Sequence, residues 1–94
     1  MRAIIGNLLY DTARAKKIFS FRRKVKGPDM ALFPGYCFVE WCDIDIYKTA
    51  SGRWFEHNKD KETITPTKES NVKEITSRLD PKRYIEFFGN VKEA

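Results

Sequence analysis

The 94 residues are 41% hydrophobic, 14% aromatic and 33% charged, with a formal net charge of +5. That is enough chain for one small domain, residues 1–94, and too much aromatic mass for a disordered segment. Apolar runs are short, as at Ala3-Ile4-Ile5, so no membrane-spanning helix of about 20 apolar residues is expected. No apolar stretch of the secretory type follows Arg2, and no signal peptide is expected either.

In chain order, Ala3-Ile4-Ile5 and Leu8-Leu9-Tyr10 flank Gly6-Asn7, the pattern of a tight hairpin with left-handed turn residues. Asp11-Thr12 offers an N-cap for a short helical turn over Ala13–Lys17. Ile18, Phe19 and Phe21 fit a strand that carries Arg22 to Lys26 outward, and Gly27-Pro28-Asp29 breaks it. Phe33-Pro34-Gly35 is a turn. Tyr36 to Thr49 is the longest β-like stretch, free of Gly and Pro. Ala50-Ser51-Gly52 turns the chain back into a return strand over Arg53–His57. Asn58 to Glu62 is a charged loop, followed by a short strand at Thr63-Ile64-Thr65. The last third changes period. Thr67 caps a helix over Lys68–Leu79 with Val72, Ile75 and Leu79 on one face. Asp80-Pro81 opens a second helix, with Tyr84, Ile85, Phe87 and Phe88 as its apolar face and Gly89 at its end. The expected architecture is α+β: an antiparallel sheet of about five strands followed by two C-terminal helices.

The positive charge is unevenly placed. Residues 1–30 hold eight basic side chains against two acidic ones, and residues 31–94 hold ten against eleven. Such a field attracts polyanions or an acidic protein surface. The candidate contacts to nucleic acid or to a partner are Arg14, Lys16, Lys17, Arg22, Arg23, Lys24 and Lys26. A second candidate is the hairpin formed by Tyr47, Arg53 and Trp54, because exposed aromatics beside arginine make protein hot spots and base-stacking platforms. The competing expectation for Trp41, Trp54 and Phe55 is that they build the core between sheet and helices.

Chemistry-bearing groups are few. Cys37 and Cys42 are five residues apart and point to opposite faces of one strand. With only His57 to join them they fall short of four zinc ligands. Two free thiols of a cytosolic protein are the better reading. His57 has no serine or cysteine in an identifiable pairing, and is expected at the surface of a strand end. There is no phosphate-binding glycine loop and no paired-carboxylate motif. No enzyme activity, cofactor or metal is expected.

Two resemblances extend this reading. Leu9-Tyr10-Asp11-Thr12 with Ala15, then Ile46-Tyr47-Lys48-Thr49 with Ser51, Gly52, Trp54, Phe55 and His57, then Ile64 and Pro66, then Tyr84, Glu86, Phe88 and Gly89 occur in this order. The set resembles small, largely uncharacterised proteins of bacterial phages and mobile elements, and covers most of the chain. The chain departs from them in its basic Arg22–Lys26 segment and in a less acidic C-terminal helix. Some phage proteins of this kind are anti-CRISPR inhibitors. The resemblance therefore implies a viral interaction protein in the cytoplasm of a host bacterium, acting stoichiometrically on a CRISPR effector nuclease or its guide RNA. A net charge of +5 has the wrong sign for a DNA mimic. Leu32–Glu40 is similar to a strand in the N-terminal domain of NusG-type transcription elongation factors, which implies RNA polymerase as partner. The chain lacks their opening strand, and its tail does not continue the pattern. The alternative function is a small basic nucleic-acid-binding module or phage regulator. A structural component that pairs with its own copy through an edge at Tyr36–Thr49 is a third possibility.

Overall fold

A computed structural model describes residues 1–29 and 37–89, with the backbone alone for residues 26–29 and 37–39. The expected Phe33-Pro34-Gly35 turn and most of the NusG-like segment lie outside the described residues.

The chain opens with a hairpin of β1 (Arg2–Ile5) and β2 (Leu8–Asp11). Gly6 and Asn7 take φ values of 57° and 65°, and this left-handed pair matches the twist of the flanking strands. Ala3 and Ile5 pair with Tyr10 and Leu8, and Ala3, Ile5 and Tyr10 turn inward onto the larger sheet.

The expected helical turn over Ala13–Lys17 does not form. The Asp11 carboxylate accepts from the Ala13 amide at 2.9 Å, and the Arg14 and Ala15 amides close on the Asp11 carbonyl. A local side-chain turn of this type competes with helix. By Lys16 the backbone is already paired to Lys48.

The main sheet is antiparallel, in the order β3 (Lys16–Asp29), β4 (Cys37–Lys48), β5 (Trp54–Asn58), β6 (Thr63–Thr67). The five-strand sheet of the sequence reading is thus a four-stranded sheet and a separate two-stranded one. β3 continues through Gly27 and Pro28, where a break was expected, with a register shift between Lys26 and Asp29. A second shift, between Lys17 and Phe19, lets the consecutive residues Ile18 and Phe19 both enter one core cluster, as bulges do. Pro66 is tolerated because β6 is an edge strand. β4 is paired on both sides from Ile44 to Lys48, so of the edge expected at Tyr36–Thr49 the described residues leave only Cys37–Asp43 open on the β5 side.

Register assigns two faces. On the first, Phe19, Phe21 and Arg23 lie beside Ile46, Ile44 and Cys42, and Trp54 and Glu56 lie beside Lys48 and Ile46. The helices α1 (Glu69–Leu79) and α2 (Pro81–Phe88) cover one end of this face through Val72, Ile75, Phe87 and Phe88. Val72 and Thr76 are the buried residues of α1, and Leu79, expected on that face, is exposed. Likewise Ile85 of α2 is exposed. Thr67 ends β6 instead of capping α1, whose N-cap is Lys68 with no side-chain bond. Asp80 does cap α2, accepting from the Arg83 amide at 3.3 Å. Lys16, Lys48 and Lys73 place their ammonium groups 5.2–5.8 Å from the rings of Phe87, Trp54 and Phe88, so cationic stems shield the rim of this core.

On the second face the hairpin packs over Phe55, Ile64 and Tyr47. Phe55 meets Tyr10 edge-on at 5.5 Å and stacks on Tyr47 at 5.1 Å. Hairpin and helices thus cover the same end of the sheet from opposite sides. Because β5 pairs only with Ile44–Lys48, β3 and β4 run on beyond it as a two-stranded arm. The Cα radius of gyration, 15.7 Å, exceeds the roughly 12 Å of a compact chain this long.

Candidate nucleic-acid interface

Successive residues of a strand alternate between faces. Core positions Cys42, Ile44 and Ile46 therefore force Trp41 and Asp43 outward. Trp41 pairs with Lys24, and Asp43 pairs with Arg22. The second face of the arm thus displays Arg22, Lys24, Trp41 and Asp43 together, all exposed. Trp41 is 55% exposed. The Arg22 guanidinium lies 5.8 Å and the Lys24 ammonium 5.6 Å from its ring centroid, within cation–π range. Arg22 also meets Asp43, Nε to Oδ1, at 3.4 Å.

Next to this platform is an open depression of about 280 Å³, lined by Ser20, Arg22, Asp43, Asp45 and Lys59 among others. The Asp45 carboxylate is buried and neutralised at its floor. It accepts from the Ser20 hydroxyl at 2.6 Å and faces Lys59 at 3.5 Å. Asp60 accepts from the Asp43 amide at 2.6 Å, and Asn58 accepts from the Asp60 and Lys61 amides. The segment expected as a mere charged loop therefore braces the base of the arm.

The seven basic candidates do not form one site. Arg22 and Lys24 share the platform, and the side chain of Lys26 lies outside what the structure describes. Arg23 lies on the other face, where its guanidinium holds Glu56 through two bonds of 2.5 and 3.1 Å. This makes Arg23 a structural residue. Arg23→Ala should cost about 1–2 kcal/mol, discounted for the half-exposed guanidinium, as measured by urea unfolding, and should leave nucleic-acid affinity unchanged. Lys16 is committed to the Phe87 ring. Lys17 pairs with Tyr47, and Arg14 lies in the turn before β3. From Lys16 to Lys24, eight strand residues span roughly 26 Å.

No protein-family model, curated protein or solved structure matches this chain.

The hairpin candidate is corrected. Trp54 is 6% exposed and packs with Phe88 at 5.8 Å, because Lys48 and Trp54 pair on the helix-covered face. Tyr47 points the opposite way and stacks on Phe55. Only Arg53 is exposed, so Tyr47, Arg53 and Trp54 make no common surface. The core expectation holds for Trp54 and Phe55, on opposite sides of the sheet, and fails for Trp41.

Burial raises the Tyr47 hydroxyl above its ordinary pKa of 10.0, the Asp45 carboxylate adds to this, and Lys59 opposes it. The folded chain thus holds this proton more tightly than the unfolded chain does. The associated stability is fully present below pH 10.0 and is lost as pH rises through the folded value. Between about pH 9 and about pH 11 the melting temperature of wild type should fall further than that of Tyr47→Phe. Equal falls would contradict the assignment.

His57 is half-buried beside Tyr47 and lines an open depression with Met1, Lys59 and Glu62, while its Nδ1 is enclosed with no hydrogen-bond partner among the described residues. Cys42 is a buried free thiol on the first face and His57 lies on the second, so the sheet separates thiol from imidazole. Among the described residues no group of three or more His, Cys, Asp or Glu side chains is placed to hold a metal ion, and no helix is long and apolar enough to cross a membrane.

Proposed function

We propose that this chain is a non-catalytic binding protein whose β3–β4 arm engages nucleic acid. The observation that carries this reading is Trp41, exposed between Arg22 and Lys24 on the face of a projecting arm. A tryptophan left in water forgoes the burial of about 150–250 Å² that its ring normally contributes. Cations beside an open ring supply both attractions that nucleic acid offers, to phosphate charge and to base faces. The placement of most basic excess in residues 1–30 supports the same reading.

The inhibitor reading implied by the phage-protein resemblance converges on this surface. One route to blocking a bacterial defence ribonucleoprotein, a groove plugged by Tyr47 and Trp54, loses its support with the burial of Trp54. The other route, competition for the guide RNA of a CRISPR effector in the host cytoplasm, keeps Arg22 and Lys24 exposed. It requires positive charge, which also argues against DNA mimicry.

The test is capture on the tagged protein from a bacterial lysate containing CRISPR effectors, with and without nuclease. The expected result is co-purified nucleic acid, with any protein partners released by nuclease. A protein partner retained after nuclease and high salt, with no nucleic acid recovered, would overturn the proposal.

A further inference from the structure

We infer that the arm selects single-stranded over duplex nucleic acid, with one unpaired base stacked on Trp41. This inference rests on the nucleic-acid reading above and adds the strand preference.

Trp41 is the only aromatic residue among the exposed large hydrophobic side chains of the described residues. Among the described residues its ring stands on a two-stranded ribbon. With 55% of the residue in water, the ring is reachable from solvent, and the two cations over it at 5.8 and 5.6 Å sit on flexible stems that a stacking base displaces toward its own phosphates. A duplex cannot use that ring: its base faces are already stacked on each other, and only edges and phosphates are exposed. An unpaired base has free faces, and an aromatic side chain stacks any of the four.

The cations complete the fit. Arg22 and Lys24 are two residues apart on one strand face, about 6.6 Å along the chain; on the neighbouring strand Trp41 lies opposite Lys24 and diagonal to Arg22. They track a backbone while the ring holds a base. The same face of the arm displays no Asn or Gln among the described side chains, the residues suited to reading adenine. Asp43 holds the Arg22 guanidinium through Nε, which leaves the Nη donors for a phosphate.

The test is fluorescence anisotropy of the full chain with a labelled mixed-sequence RNA of about 12 nucleotides, within the usual site size, and with the same strand in a duplex. Wild type should bind the single strand at least roughly tenfold more tightly. Trp41→Ala should weaken single-strand binding by roughly 5- to 150-fold and leave duplex binding within about twofold. Trp41→Phe, which keeps a stacking face, should recover most of the loss. Trp41 is exposed, so both variants should keep the wild-type circular dichroism spectrum and melting temperature. Equal binding of both probes, unchanged by Trp41→Ala, would overturn the inference and leave the nucleic-acid reading standing on charge. No saturable binding of either probe would overturn both.

Discussion

Phe55→Ala should lower the stability of this protein by about 3–5 kcal/mol, a large share of what a domain this small possesses. Phe55 is fully buried. Its ring joins two layers: Tyr10 of the hairpin edge-on, and Tyr47 of β4 stacked at an interplanar angle of 7°. Truncation to alanine leaves a cavity that neither neighbour can fill, since both are held by strand backbone. It also removes the main anchor of the β1–β2 hairpin, whose inward side chains Ala3, Ile5 and Tyr10 gather around Phe55 and Ile64. At about 4–8 °C per kcal/mol for a domain of this size, the melting temperature should fall by about 12 °C or more in a circular dichroism scan. Exposed Trp41 gives the contrast, because truncation there should move stability by no more than about 0.5 kcal/mol. If the two variants melted together, the packing of hairpin on sheet described above would be wrong.

The second large effect concerns binding. Arg22→Glu combined with Lys24→Glu should nearly abolish nucleic-acid binding at low salt. Each phosphate contact on a single strand contributes about −0.7 to the slope of log affinity against log salt. Loss of two contacts flattens the slope by about 1.4, a deficit against wild type of roughly 25-fold for each decade by which salt lies below about 1 M, before added repulsion is counted. The matched control is Arg14→Glu with Lys16→Glu. It changes net charge identically, at the opposite end of β3 from the platform. The control should bind within about threefold of wild type at about 0.15 M salt, where distant charges are screened beyond about 8 Å. An equal loss in both would place the attraction in net charge alone. The overturning result for the arm is therefore a control as damaging as the platform variant.

Much of the fold was legible because local chemistry and tertiary demand agreed. Gly6-Asn7 turned where positive φ was needed, Asp80-Pro81 began a helix, and the Gly- and Pro-free stretch from Tyr36 to Thr49 holds the long strand β4. Misreadings arose where local preference met a competing partner. Ala13–Lys17 has the composition of a helix, yet Asp11 turns the chain and Lys16 is claimed by β4. Thr67 looked like a cap but serves as the last residue of an edge strand.

The site was half legible. Its charge was visible in Arg22 and Lys24, but the strand's register divides neighbouring Arg23 from them and gives it to Glu56. Trp41 was readable in principle. An odd-numbered residue of this strand must lie on the face opposite Cys42, Ile44 and Ile46, and on that face the hairpin covers Tyr47 but does not reach Trp41. What no single strand reveals is that β5 ends at Asn58, opposite Ile44, and so leaves the outer ribbon as an arm. That depends on the length of a different strand.

The most direct test of the central claim is a nitrogen–proton correlation spectrum recorded while a single-stranded oligonucleotide is titrated in. The chain has two tryptophans, one exposed on the platform and one buried beneath the helices, so the indole signals report on two regions at once. The account predicts that the Trp41 indole and the Arg22 and Lys24 amides shift progressively and saturate while the Trp54 indole stays in place. Shifts centred on Trp54 and the Thr49–Arg53 turn, with the Trp41 indole unmoved, would contradict it.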